Sequence, residues 1–219
     1  NVSFRYQNAE SDVLSDLSFI AKAGETTAFI GSTGSGKSTL LNLIPRFYDV
    51  TAGSVTIGGV DVRQLPQKQL RSLIGYVPQK SVLFSGDIAS NIRYGKEDAS
   101  DEEIWNAIQT AQAKAFVQSA DGQLSAPIAQ GGGNVSGGQK QRVGVARAFS
   151  VNPDIILMDE PFSALDPVTR NELQDEIYNL QHQFHKTIVF VTHDMDEAIR
   201  LADRICIIQD GRIVQLDTP

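Results

Sequence analysis

Short runs of β-branched and aromatic residues alternate with helical stretches along this 219-residue chain. That alternation predicts an α/β fold with a mostly parallel sheet. Residues 26–30 (Thr-Thr-Ala-Phe-Ile) read as a strand, followed by a glycine-rich turn and a helical pattern over 38–44. The composition of 53–59 is that of a hairpin, which predicts an antiparallel sheet covering the first part of the chain. From Asp87 to about Phe116 the period becomes helical, with Ile104, Trp105, Ala107 and Ile108 apolar, and this is read as a helical insertion. A loose loop from Asp121 to Gly133 follows. A helix from Gly137, a strand over 155–158, a helix after Pro167, a strand over 187–191, and a final helix and hairpin complete the expected order.

Composition narrows the class without naming a function. A chain of this length buries a sizeable core without disulfides or a structural metal. Its one cysteine, Cys206, sits in the apolar run 205–208, which predicts a small core residue and an intracellular setting. No stretch of about 18 apolar residues is present, so nothing in these residues is expected to span a membrane. The opening residues lack the apolar core of a secretion signal. A formal net charge of −7 argues against a nucleic-acid binder held by a broad basic face.

The chemistry begins at Gly31-Ser32-Thr33-Gly34-Ser35-Gly36-Lys37-Ser38, which fits the phosphate-loop pattern G-x-x-x-x-G-K-[ST] in full. Glycines let backbone N–H groups turn inward around a phosphate, and the helix that starts here, with Thr39 in its first turn, adds its positive end. Lys37 is positioned to bridge the β- and γ-phosphates, and the Ser38 hydroxyl to hold Mg²⁺. A second acidic element is supplied at 155–160, an apolar strand ending in Asp159 and Glu160. At such a strand end Asp159 reaches the magnesium shell and Glu160 faces the attacking water as general base.

Val135-Ser136-Gly137-Gly138-Gln139 resembles the signature motif of ATP-binding cassette proteins, with valine where leucine is usual. Physically it is a second anion site at a helix N-terminus. The family resemblance implies that it meets the γ-phosphate of ATP held by a partner domain, so that two copies pack head to tail around two nucleotides. Other positions agree in order. Gln79 resembles the glutamine that touches magnesium and water, and Ser163-Ala164-Leu165-Asp166 the loop that crosses the dimer interface. His193 resembles the switch histidine on the γ-phosphate, and Tyr6 the aromatic that stacks on adenine. The resemblance therefore implies catalytic roles for Glu160, His193, Gln79 and Lys37. It implies nucleotide contacts from Tyr6, residues 31–39, Ser136 to Gln139, and Asp166, and magnesium ligation by Ser38, Gln79 and Asp159. It further implies a catalytic lobe at about 1–79 and 143–219 with a helical subdomain at about 80–142. A transmembrane partner absent from these residues is implied, with a cytoplasmic location against the membrane and no nucleic acid.

Two rival ATPase classes lack their marks here: no long coiled coil separates Gln79 from Ser136, and no second cassette is present. The absence of an Asn-Lys-x-Asp guanine motif argues against a regulatory GTPase. Within the family the character changes along the chain. Residues 4–6, 46–49, 82–88 and 132–142 resemble exporter cassettes; 158–167, 192–198 and 215–219 resemble osmoprotectant importers. This change is read as a chimera that joins an exporter-type front to an importer-type back near Gln141 to Ala148, with one divergent lineage as the alternative. Joined halves predict mismatched core volumes, each costing about 1–3 kcal/mol.

Overall fold

The computed structural model describes residues 1–219. The first third of the chain contains β1 (Val2–Phe4), β2 (Leu14–Leu17), β3 (Thr26–Ile30), α1 (Lys37–Leu43), β4 (Ala52–Gly53), β5 (Thr56–Ile57), β6 (Val60–Asp61), α2 (Gln67–Ser72) and β7 (Ile74–Val77). The middle contains β8 (Gly86–Asp87), α3 (Ile88–Arg93), α4 (Asp101–Thr110), α5 (Lys114–Ser119) and β9 (Pro127–Ile128). The last part contains α6 (Gly137–Phe149), β10 (Ile155–Asp159), α7 (Pro167–Phe184), β11 (Thr187–Thr192), α8 (Met195–Leu201), β12 (Arg204–Gln209) and β13 (Arg212–Asp217). Six strands make the central sheet in the order β13-β12-β3-β11-β10-β7, with β13 its only antiparallel member. A separate antiparallel sheet, β2-β1-β4, covers one face.

Strands β3, β10 and β11 are buried along almost their whole length because both of their faces are covered. Side-chain alternation sorts them into two cores. Ala28, Ile30, Ile156, Met158, Ile188 and Phe190 face the helical middle of the chain. Phe29, Leu157, Val189 and Val191 face α1 and the antiparallel sheet, packing with Phe4, Leu14 and Leu40. This is the period of two that pleated strands impose. Cys206 lies in the second core, fully buried, and burial pushes its thiol up to about 12.

Three features depart from the sequence reading. The stretch from Asp121 to Gly133 is not a plain loop. It holds two 3₁₀ turns and β9, which pairs with β8 through Gly86↔Ile128 and Asp87↔Pro127. Strands β10 and β11 each run one residue further than expected, to Asp159 and Thr192. Strand β7 had no expectation at all. Its Gly75 hides the strand pattern and is required by packing, since a Cβ there would lie 2.5 Å from the Ala148 carbonyl oxygen and 2.7 Å from Pro153 Cγ.

Helix α6 locks the helical middle to the rest. Ser136 starts it with a capping box, accepting from the Gln139 N–H while the Gln139 side chain accepts from the Ser136 N–H. Further along, Arg147 donates to the Asn91 carbonyl (2.8 Å), the Val82 carbonyl (3.1 Å) and Asn91 Oδ1 (3.0 Å). The buried Ser81 hydroxyl donates to Gln141 Oε1 at 3.1 Å. Gly144 allows this approach, because a Cβ there would lie 2.0 Å from Ser81 Oγ and 2.6 Å from Ser81 Cβ. Gly144→Ala should therefore destabilise the fold by about 1–3 kcal/mol through overpacking. A urea unfolding midpoint equal to that of the parent would show that the loop carrying Ser81 yields without cost.

Candidate active site

The carboxyl ends of four neighbouring strands converge at one edge of the sheet. In register, Ile30 of β3 lies beside Thr192 of β11, Val191 beside Asp159 of β10, and Met158 beside Val77 of β7. The residue or loop after each strand end is therefore delivered to the same place: the phosphate loop after β3, Glu160 after β10, His193 after β11 and Gln79 just beyond β7. Ligands of open α/β sheets bind outside such strand ends.

The phosphate loop is built from both sides. Gly34 has a φ of +84°, is exposed, and has nothing within 4 Å of a notional Cβ. Gly31 is held from behind, where a Cβ would meet the Ile208 carbonyl oxygen at 2.3 Å and Ser35 Oγ at 2.6 Å. Gly36 opens α1 in the left-handed region, with a φ of +97°. Ser32 and Thr33 are exposed at the loop tip, whereas Ser35, Gly36 and Lys37 are buried. Lys37 Nζ folds back onto the loop, donating to the Gly31 carbonyl at 2.7 Å and the Ser32 carbonyl at 2.9 Å. Burial lowers its pKa, opposed by the charges of Glu160 and Asp159. An ammonium held this way is a preformed cation for phosphate oxygens.

Ser38 Oγ donates to Asp159 Oδ1 at 3.0 Å, which brings the expected hydroxyl and carboxylate together across 121 residues. Asp159 is buried, and that burial raises its pKa; the Ser38 hydrogen bond and Lys37 oppose the shift, whereas Glu160 adds to it. Glu160 has a φ of 45°, a left-handed backbone that costs a non-glycine residue about 1–3 kcal/mol. It is held there by its N–H on the Val191 carbonyl (3.0 Å) and by Ser163 Oγ on its own carbonyl (2.9 Å). The bend turns its carboxylate out of the strand line. Glu160 Oε2 accepts from Gln79 Nε2 at 3.1 Å and lies 3.3 Å from His193 Nδ1. His193 has 62% of its side chain exposed against 17% for Glu160, so the imidazole is the partner with freedom to move.

The remaining expected residues take separate places. The hydroxyls of Tyr6 and Thr39 share a hydrogen bond of 3.0 Å, which ties the ring to the first turn of α1. Phe4 and Tyr48 meet the Tyr6 ring edge to face at 4.8 and 5.3 Å, which fixes its tilt. Ser136 and Gly137 are exposed at the start of α6, and their polar groups make no bond to the phosphate loop. A Cβ at Gly138 would lie 3.6 Å from the Ala164 carbonyl oxygen and from Leu165 Cδ2, so the signature turn and the 163–166 loop are neighbours in one chain. Asp166 caps α7, accepting from the Thr169 N–H at 3.1 Å; hydrogen bonds from Thr169 lower its pKa. Two residues at this edge were given no role by the sequence, Arg170 and Glu197, although Glu197 falls four residues after His193. Cavity size alone does not find the site. A cavity of about 690 Å³ lies between the antiparallel sheet and α1, lined by residues such as Phe19, Ile44 and Val55, and contains none of the phosphate loop.

A glycine loop that cradles anions, a buried lysine, and a carboxylate pair at the strand ends define a P-loop nucleoside triphosphatase. Residues 14–163 match the family model described as ABC transporter, and the chain belongs to that family as one of its ATP-binding domains, which hydrolyse ATP. It is 45% identical over 219 residues to an uncharacterised ABC transporter ATP-binding protein of Mycobacterium bovis, covering 99% of this chain and 37% of that protein. It is 40% identical over 218 residues to a Bacillus subtilis protein provisionally named a multidrug export ATP-binding/permease protein, covering 100% of this chain and 37% of that one. The structure of a bacterial Atm1-family ABC exporter with ATP bound superposes with a TM-score of 0.93 at 34% identity, over 100% of this chain and 37% of that chain. The chain thus spans little more than a third of the length of these relatives. Each match runs through the supposed junction at Gln141 to Ala148 without a break in coverage, so the comparisons lend no support to a two-parent origin. No helix is long and apolar enough to cross a membrane.

Proposed function

We propose that this chain is the MgATP-hydrolysing unit of an ABC exporter, acting in a head-to-tail pair. The observation that carries the reading is the position of Glu160, its Oε2 between Gln79 Nε2 and His193 Nδ1, one residue from the Asp159 carboxylate that meets Ser38. In this reading the amides of residues 31–39 and Lys37 hold the phosphates, and Tyr6 stacks on adenine. Glu160 takes a proton from the attacking water, which Gln79 and His193 orient. Ser136, Gly137, Gly138 and Gln139 of one chain face the γ-phosphate held by the other, with Asp166 beside that contact. The exposure of the signature turn supports a partner from another chain.

Magnesium fits the donor set. Ser38 and Asp159 present two hard oxygen donors in contact, and Gln79 contributes a third from the facing side. No cluster of three or more His, Cys, Asp or Glu forms a closed cage, which matches an ion that keeps waters and leans on substrate phosphates. When bound, the ion supplies neutralisation of charge on the phosphate oxygens.

The exporter assignment rests on relatives so named and on exporter-like residues 82–88 and 132–142. It implies transmembrane domains as partners, with this chain docked on them at the cytoplasmic face of the membrane. Residues 80–142 form the helical subdomain in this reading, between catalytic segments 1–79 and 143–219. Turnover of MgATP per chain is expected to rise with protein concentration, because each site needs a second chain. Turnover per chain that stays flat from nanomolar to tens of micromolar would exclude the composite site.

A further inference from the structure

Behind Glu160 lies a chamber of about 100 Å³ lined without a single hydrophobic residue. Glu160, Ser163 and Arg170 wall it from the β10–α7 side; Thr192, His193 and Glu197 wall it from the β11–α8 side. Both walls carry the groups assigned above to the reacting water. Buried polar groups are ordinarily paired, and Arg170 is poorly so. The Arg170 Nε–H is inaccessible and has no hydrogen-bond partner, and its Nη2 reaches only the Leu165 carbonyl at 3.4 Å. Glu197 is 8% exposed, and one carboxylate oxygen accepts from Thr192 Oγ1 at 2.6 Å. Thr192 Oγ1 in turn accepts from the Asp194 N–H at 3.0 Å, so Glu197 fixes the turn that carries His193. Arg170 and Glu197 make no direct ion pair but face the same chamber, with Asp194 beside Glu197 on its β11–α8 wall.

We propose that Arg170 and Glu197 are positioning residues for hydrolysis, drawing the His193 turn and the Glu160–Ser163 turn together across this chamber so that both side chains meet the reacting water as one unit. The inference rests on the roles given to Glu160 and His193 above. An opposite-charge pair whose members are partly buried attracts more strongly than one at the surface. Neither residue touches the phosphate loop, so ATP affinity should be indifferent to them.

Two near-isosteric variants test it: Glu197→Gln keeps an oxygen acceptor for Thr192, and Arg170→Met keeps the length of the stem. Each alone should lower kcat for MgATP about 10-fold, an effect on the scale of a small misplacement of reacting groups, with KM within about twofold. The double variant should be no slower than either single one, because both act through one attraction. Single variants with parental kcat, or losses that multiply in the double variant, overturn the proposal. Thermal melting of all three separates a loss of positioning from a loss of folding: a fall in kcat that tracks a fall in melting temperature also overturns it. Glu160→Gln, assayed alongside, separates the two readings. If it hydrolyses at the parental rate, the assignment of the base fails and carries this inference with it; if it is inactive while Glu197→Gln and Arg170→Met keep the parental kcat, only this inference fails.

Discussion

Glu160→Gln is expected to lower MgATP turnover by at least about 100-fold while ATP affinity stays within about threefold, the scale of a lost general base. The amide has the shape of the carboxylate, so the backbone at φ 45° and its bonds to Val191 and Ser163 are retained. What disappears is the basic oxygen that Gln79 and His193 flank. Removing one negative charge near Lys37, whose ammonium Glu160 helps to stabilise, leaves the phosphate cradle otherwise intact. With hydrolysis stopped, the ATP-bound pair should persist, visible as a dimer on size-exclusion chromatography with MgATP and as a monomer without it. Hydrolysis at near the parental rate would remove Glu160 from the mechanism.

The opposite pattern is expected for Lys37→Ala. ATP affinity should fall about 100-fold, corresponding to roughly 2–3 kcal/mol for lost charge-assisted hydrogen bonds. Folding should change little, because the hydrogen bonds of Lys37 go only to two carbonyls of its own loop, those of Gly31 and Ser32, and join no other element. Lys37→Arg should not restore affinity, since a planar fork cannot replace a compact ammonium threaded beneath the loop. Equilibrium binding of a fluorescent ATP analogue measures all three chains. An affinity for Lys37→Ala within about threefold of the parent would mean that the amides of 31–36 hold the phosphate without it. Together the two variants divide the site: one side chain serves binding, the other serves turnover.

Most of the fold was legible in local pattern. The strands β3, β10 and β11 are long apolar runs with β-branched residues, and α1, α6 and α7 begin at glycine, serine or aspartate followed by helical periodicity. What escaped was short or disguised. Strand β7 is interrupted by Gly75, placed there by the approach of Ala148 and Pro153, a cause lying more than 70 residues away. The β8–β9 pair consists of two residues on each side and has no sequence period to detect. The exporter-like and importer-like flavours of the two halves suggested a mismatch, yet the helix that would hold the junction is tied to the front of the chain along its whole length, through Gln141 to Pro78 and Ser81 and through Arg147 to Val82 and Asn91.

By itself the sequence determined the phosphate loop, the carboxylate-ended strand and the signature turn, because each is a contiguous run whose backbone chemistry demands particular residues in a row: glycines where amides must converge, a lysine and serine at a helix start, acids at the end of an apolar strand. Only the tertiary structure decided which of these act on one another. The Ser38–Asp159 bond, the flanking of Glu160 by Gln79 and His193, and the chamber shared by Arg170 and Glu197 join residues from separate elements. Those meetings follow from strand order and register in the sheet, which side-chain burial on two faces selects and no local run of residues encodes.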